Sequence, residues 1–151
     1  MMKSFSALLV PILLSIAHVA GGSNSGGFLS QADCNGSTFK FVDILEVGPD
    51  PDYIITVTPI MSGLCPTSSG QMKNSTLNLN TCLGNNDAHL YWKKNGMFQT
   101  TCGCSLQIPN LCCGCERTNG STVPSGICID LDQGVAANGG QLNCDNLPSN
   151  N

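Results

Sequence analysis

Ten cysteines are the most reactive side chains in this sequence: Cys34, Cys65, Cys82, Cys102, Cys104, Cys112, Cys113, Cys115, Cys128 and Cys144. An even number of thiols in an exported chain reads as a disulfide framework of up to five bonds. Spacing alone leaves on the order of a thousand pairings open. The competing use of thiolates is metal binding, but zinc sites recruit histidine or four reduced thiolates. Past the first twenty residues His89 is the only imidazole, and an oxidising compartment leaves no reduced thiolates, so neither metal nor cofactor is expected. Asp50 and Asp52, in Gly48-Pro49-Asp50-Pro51-Asp52, raise the question of calcium. The intervening prolines and the lack of further ligands favour a solvated turn. Hydrolytic chemistry needs a nucleophile beside a base, or two carboxylates flanking a bond. Serines abound, yet none sits in a G-x-S-x-G elbow and His89 has no evident nucleophile to serve. No enzyme is expected. Three tripeptides, at Asn35, Asn74 and Asn119, fit N-glycosylation in a eukaryotic secretory pathway, and a glycan there would force its segment to the surface.

The elements that must position these groups follow an export signal. Lys3 precedes a twelve-residue apolar run, 6–17, broken by Pro11. Such a run is too short for a bilayer, which needs about 20 apolar residues. Cleavage fits after Ala17, Ala20 or Gly21. The signal is taken as residues 1–20, with a glycine- and serine-rich mobile linker over 21–27. One domain is expected over 28–146, and a disordered tail over 147–151. The net charge of −4 becomes −5 once Lys3 is removed. That acidic, lysine-poor balance argues against nucleic acid or anionic membrane as partners, and no membrane insertion is expected.

Short β-branched or alternating runs at 38–45, 53–61, 76–79, 89–92 and 127–131 are separated by Gly, Pro, Asn and Asp clusters, and no segment carries a sustained helical stripe. The fold class is therefore all-β. The chain also repeats itself. Leu77-Asn78-Leu79-Asn80, followed by Leu83 and Leu90, recurs 52 residues later as Ile129-Asp130-Leu131-Asp132, Val135 and Leu142. Phe28-Leu29-Ser30-Gln31 leading to Cys34 is echoed by Met97-Phe98-Gln99-Thr100 leading to Cys102, and Cys65 by Cys115. Half-size units of this content bury too little surface alone, so the two should pack into one pseudo-symmetric core.

These residues, in this order, resemble the cyanovirin-N homology domain. The match includes Asn85-Asn86-Asp87 with His89-Leu90-Tyr91-Trp92, Cys115-Glu116-Arg117-Thr118-Asn119-Gly120, and Val135-Ala136-Ala137-Asn138-Gly139-Gly140. The resemblance runs from about Phe28 to Cys144. It implies a disulfide-rich, pseudo-two-fold domain of two interleaved half-repeats that binds mannose-rich oligosaccharides and glycoproteins without metal. Of the two implied sites, one would use Gly84, Asn85, Asn86, Asp87, Asn95, Gly96, Thr101, Glu116, Arg117, Thr118 and Asn119. The second, weaker one would use Gln31, Asp33, Thr67, Asn138 and Gly139. There Pro66-Thr67-Ser68 replaces the family's charged triplet, and Gly139 falls where Asp is common. Sugar hydroxyls both donate and accept, which suits carboxylates, amides and a guanidinium.

The resemblance implies disulfides Cys34 to Cys65, Cys102 or Cys104 to Cys115, and Cys128 to Cys144; Cys82 and the pair Cys112 and Cys113 stay unassigned, vicinal cysteines usually taking separate partners. The plainer readings stand beside these: Asn85 to Asp87 as a turn only, Thr101 as a cross-strand filler, Trp92 as core, and Glu116 with Arg117 as an exposed ion pair. A glycan on Asn119 would crowd the first site. A small cysteine-rich effector or surface protein with this fold and no sugar binding is the rival function. Lys93-Lys94-Asn95-Gly96, where exchange of halves would hinge, favours a tight reversal, so a monomer is expected, with a half-exchanged dimer as the other form.

Overall fold

The computed structural model describes residues 26–47 and 55–149, so the expected export signal, the first part of the expected linker, Tyr53 and the turn expected at Gly48-Pro49-Asp50-Pro51-Asp52 lie outside the described residues. Among the described residues ten strands form four antiparallel units. The first sheet is β1 (Asn35–Val47), β2 (Ile55–Pro66) and β3 (Met72–Asn78). The hairpin β4 (Leu83–Asn86) with β5 (His89–Trp92) follows. The second sheet is β6 (Cys102–Gln107), β7 (Asn110–Glu116) and β8 (Thr122–Asp130), and the hairpin β9 (Ala136–Asn138) with β10 (Gln141–Asn143) ends the fold. The domain is all-β, as expected, with three single 3-10 turns at Leu79–Thr81, Phe98–Thr100 and Leu131–Gln133.

Strand alternation decides what is buried. On β7, Leu111, Cys113 and Cys115 are buried while Asn110, Cys112 and Gly114 are not. On β2, Met61, Gly63 and Cys65 play the same part. The two L-x-L repeats assign a task to each of their last three positions. Asn78 and Asp130 accept from the backbone N–H two residues on, at 3.0 Å in both, and cap a 3-10 turn. Leu79 and Leu131 are fully buried. Asn80 and Asp132 then reach across to the start of the opposite half: Asn80 Oδ1 accepts from Gln99 N at 3.1 Å, and Asp132 Oδ1 from Leu29 N at 2.7 Å.

The halves are therefore interleaved. Asn85 of the first hairpin bonds to Thr101 and Glu116 of the second half. In the last hairpin Leu142 N donates to Ser75 Oγ of the first sheet at 2.8 Å. The 52-residue repeat holds in register: Gly84 pairs with Tyr91 as Ala136 does with Asn143, and Asn86 with His89 as Asn138 does with Gln141. One echo is corrected. The partner of Phe28 is Phe98 and not Met97, because both rings are fully buried and Met97 N donates to Asn80 O as Gly27 N does to Asp132 O. Gly26 and Gly27, read as the end of a mobile linker, are buried. A Cβ on Gly26 would meet the Gln133 backbone at 2.2 Å. Leu147, read as the start of the tail, packs against the core.

All ten cysteines are paired, as Cys34–Cys65, Cys82–Cys144, Cys102–Cys115, Cys104–Cys113 and Cys112–Cys128. The pairing of Cys128 with Cys144 is overturned. Cys128 stands directly opposite Cys112 across β7 and β8, while the last hairpin carries Cys144 over to the first half, where Cys82 waits. Vicinal Cys112 and Cys113 take separate partners because neighbouring strand residues point to opposite faces.

The two-fold also relates unlike devices. Advancing by 52 carries Cys82 to Gly134 and Trp92 to Cys144. The disulfide at one joint thus corresponds to a Trp92 ring seated on Gly134 at the other, where an added Cβ would lie 2.6 Å from three ring carbons. Gly134→Ala is expected to destabilise the fold by about 1–3 kcal/mol through overpacking. The measurement is a lower urea midpoint with unchanged slope. Gly103→Ala is the control, since a Cβ there meets nothing within 4 Å; equal midpoints for the two variants would refute the packing assignment.

Candidate functional site

The turn joining β4 to β5 is built from Asn86-Asp87-Ala88-His89, with φ of 50° at Asp87 and 69° at Ala88. Two successive left-handed residues are the mark of the tight hairpin turn that glycine and asparagine favour. The equivalent turn after β9 uses Gly139 and Gly140, at 55° and 82°. Aspartate tolerates this backbone, whereas for alanine it costs about 1–2 kcal/mol. The first half therefore keeps a carboxylate at a place where glycine would fold more easily.

Asp87 ties that turn to the second half. Its Oδ1 accepts from Thr118 N and from Thr118 Oγ1, both at 3.1 Å. The other carboxylate oxygen makes no hydrogen bond among the described residues, and His89 Nδ1 lies 3.1 Å from the Asp87 carbonyl. The Thr118 amide, then its hydroxyl, hold the Asp87 carboxyl below the ordinary range, with smaller help from Arg117 and His89 and a small opposing effect of desolvation. Asn85 supplies the second tie, donating both Nδ2 protons, to Thr101 Oγ1 and to the Glu116 carbonyl, at 2.8 Å each. Its Oδ1 is buried without a partner. Glu116 N donates to the Thr101 carbonyl at 2.8 Å, and the Thr118-Asn119-Gly120 turn closes through Arg117 N to Ser121 O at 2.8 Å.

The structure brings Asn85, Asp87, Thr101, Glu116, Arg117 and Thr118 together, with exposed Asn86 and Asn119 on the same two turns. Thr101 and Asn85 are spent on holding the seam. Asp87, Asn86, Glu116 and Arg117 present exposed polar groups, and among the described residues Glu116 and Arg117 form no ion pair with each other. Gly84, Asn95 and Gly96 are not part of this cluster. A Cβ on Gly96 would meet the Leu83 carbonyl at 2.4 Å, so it fits under the open end of the hairpin, and Asn95 N donates to Thr81 O there. Trp92 is buried in the core.

At the pseudo-equivalent place, Gly139 lies against Ser68 and Gly140 against Thr67, so the turns meet without a carboxylate. Gln31 and Asn138 line a neighbouring cavity of about 440 Å³ together with Asn143, Asp145 and Asn146, while Asp33 and Thr67 do not line it. Sequence reasoning missed the last three. For Asp145 and Asn146 the one signal is the Cys144-Asp145-Asn146 run directly after the final strand, which Asn143 ends. Asn35, Asn74 and Asn119 are all exposed, and Asn119 Oδ1 accepts from Ser121 Oγ at 2.7 Å.

A carboxyl held below its unfolded value contributes stability that is complete above the unfolded value and fades as pH falls through the folded one. In an NMR titration Asp87 should therefore turn over below an ordinary aspartate, about 3.9. Thr118→Val removes the hydroxyl bond, keeps the amide bond, and should move the midpoint part of the way up. An unmoved midpoint would mean that the hydroxyl does not act on Asp87.

No curated protein matches the sequence. Among solved structures, the CVNH protein of N. crassa matches with a TM-score of 0.54 at 14% identity, covering 78% of this chain and 98% of that one. A designed cyanovirin-N homologue lectin matches with a TM-score of 0.51 at 21% identity, over 57% of this chain and 84% of that one. The CVNH domain family matches residues 53–147. Two interleaved half-repeats, joined by a carboxylate and an amide across their seam, are thus the frame of a protein that belongs to the CVNH domain family.

Proposed function

We propose that this protein is an exported lectin that holds mannose-type oligosaccharides, free or on glycoproteins, by hydrogen bonds and without metal. The site is the meeting of the Asn85-Asn86-Asp87 turn with Glu116-Arg117-Thr118-Asn119. Membership of the CVNH family supports the ligand class. The observation that carries the reading is the exposed Asp87 carboxylate, one oxygen of which is fixed by Thr118 while the other makes no hydrogen bond among the described residues, with the Arg117 charge acting on the group. A mannose ring offers vicinal hydroxyls, each a donor and an acceptor. The free Asp87 oxygen and the Glu116 carboxylate accept, Arg117 donates, and Asn86 does both. Bonds to ionised partners are the stronger kind. No Phe, Tyr or Trp is among the residues that meet there, so one site is of modest affinity.

The second site, at Gln31, Asp33, Thr67, Asn138 and Gly139, is the weaker one in this reading, since its turn has lost the carboxylate. A surface or effector role without sugar is the outcome if binding fails.

Calorimetry or a glycan array on protein stripped of N-glycans tests the proposal. Wild type should bind mannose-terminated oligosaccharides, and Asp87→Ala and Glu116→Ala should each weaken binding about tenfold or more. Silence of the wild type toward every glycan at high micromolar concentration would hand the case to the effector role. The same chemistry predicts a gain at the other end. Gly139→Asp, at a φ that aspartate tolerates and with Ser68 Oγ 3.7 Å from the new Cβ, should raise the sugar bound per chain. An unchanged stoichiometry and affinity would count against the carboxylate as the missing part.

A further inference from the structure

The first hairpin is much longer than its counterpart, and its surplus is oddly apolar. β1 is the edge of its sheet, and β6 is the edge of the other. Between them lies a cleft of about 640 Å³ lined by Phe39, Phe41, Leu106 and Ile108 with Lys40, Val42, Cys104 and Ser105. Val42 at its margin and Ile44 and Leu45 beyond it are 53%, 45% and 65% exposed. An exposed apolar edge strand is a template for pairing, and natural sheets ordinarily blunt it with charge, proline or a bulge. β1 has a register shift between Asn35 and Lys40 and carries Lys40, Asp43 and Glu46, but from Lys40 to Val47 its register with β2 runs unbroken.

The order of residues identifies the partner. Read outward from Asp43, the strand is Val42 and Ile44, then Phe41 and Leu45, then Lys40 and Glu46. An antiparallel copy centred on Asp43 would set Val42 against Ile44, Phe41 against Leu45, and Lys40 against Glu46, twice each. Cross-strand pairs of these kinds stabilise a sheet, and like charges opposite one another do the reverse. A two-fold contact of this sort is closed and self-complementary. The single unfavourable meeting is Asp43 with its own copy on the axis. Burial pushes its carboxyl up, and the neighbouring Gln99 side chain of its own chain opposes that shift.

The geometry points to a second copy of this chain as the occupant of the β1 edge, paired antiparallel about Asp43, with Val42 against Ile44 on one face of the joined sheet and Phe41 against Leu45 on the other. This is a different contact from exchange of halves at Lys93-Lys94-Asn95-Gly96, on which the expectation of a monomer rested. It leaves the Asp87 and Glu116 seam uncovered in residue terms, because none of its residues takes part. It would give the assembly two such seams.

The test is sedimentation of the full exported chain across a range of concentrations. Wild type should pass from monomer to dimer. Lys40→Glu alone and Glu46→Lys alone should each weaken the dimer about tenfold or more, since both pairs become like-charged. Mixed in equal amounts, these two variants should pair with each other, and the double variant Lys40→Glu, Glu46→Lys should recover the wild-type dimer. Asp43→Asn should tighten it. A wild type that stays monomeric at high micromolar concentration overturns the proposal, as does a dimer indifferent to the charge exchanges. A stable complex with another protein, without self-association, overturns it too, by assigning the edge to a foreign strand. Sugar binding plays no part in the readout, so failure here leaves the lectin proposal standing.

Discussion

Each three-stranded sheet has one apolar face, and the hairpin that covers it comes from the other half of the chain. A half-unit cut loose would expose Leu79, Leu83 and Met61, or Leu111, Leu131 and Val135, all fully buried in the whole. Burial of a large aliphatic side chain is worth about 1.5–3 kcal/mol, so neither half holds enough core to stand alone. The interleaving also fixes where polar ties are needed. Asn80 and Asp132 each pin the opening segment of the opposite half at the point where the crossing occurs. Uncrossing would leave Asn80, 4% exposed, with an unmet amide.

The candidate site is a by-product of that crossing. Where a hairpin tip of one half reaches the turn that ends the other half's hairpin, two loops from distant parts of the sequence are held within hydrogen-bonding range. The two-fold produces the arrangement twice, and the copies have diverged. At one end the tip is Asp87-Ala88 against Thr118; at the other it is Gly139-Gly140 against Ser68 and Thr67. Glycine relieves the left-handed turn but brings no ligand group. The end that retains side chains bears the strain, and backbone strain retained at one of two equivalent places is a pointer to use.

The sequence spoke clearly wherever a pattern was local or periodic. The 52-residue repeat was legible because buried leucines and capping Asn or Asp recur at fixed offsets, and each has one physical task. Asn85, Asp87 and Glu116 could be grouped only through the family resemblance, since nothing local ties residue 87 to residue 118. Three things were not legible. The bonding of Cys144 to Cys82 depends on the last hairpin crossing over, and nearness in sequence to Cys128 argued the wrong way. Phe28 matches Phe98 and not Met97 because the loop to the next cysteine is two residues longer in the first half, which hides the register. Gly26 and Gly96 look like linker and turn by composition, yet each is a close contact between backbones that no side chain would permit.

Rigidity is the remaining link between fold and proposed function. Three of the five disulfides, Cys102–Cys115, Cys104–Cys113 and Cys112–Cys128, staple the one sheet whose β7 and β8 carry Glu116 to Asn119. The first sheet, whose corresponding turn is Thr67 to Gln71, has Cys34–Cys65 alone. A site without an aromatic platform draws its affinity from polar groups already fixed where the hydroxyls arrive, because each group ordered on binding subtracts from the gain. The stapled sheet, the Asn85 tie and the Thr118 clamp on Asp87 all act on the same end of the molecule. The cross-links and the carboxylate lie together, at the end where the proposed function calls for a pre-ordered hydrogen-bonding surface.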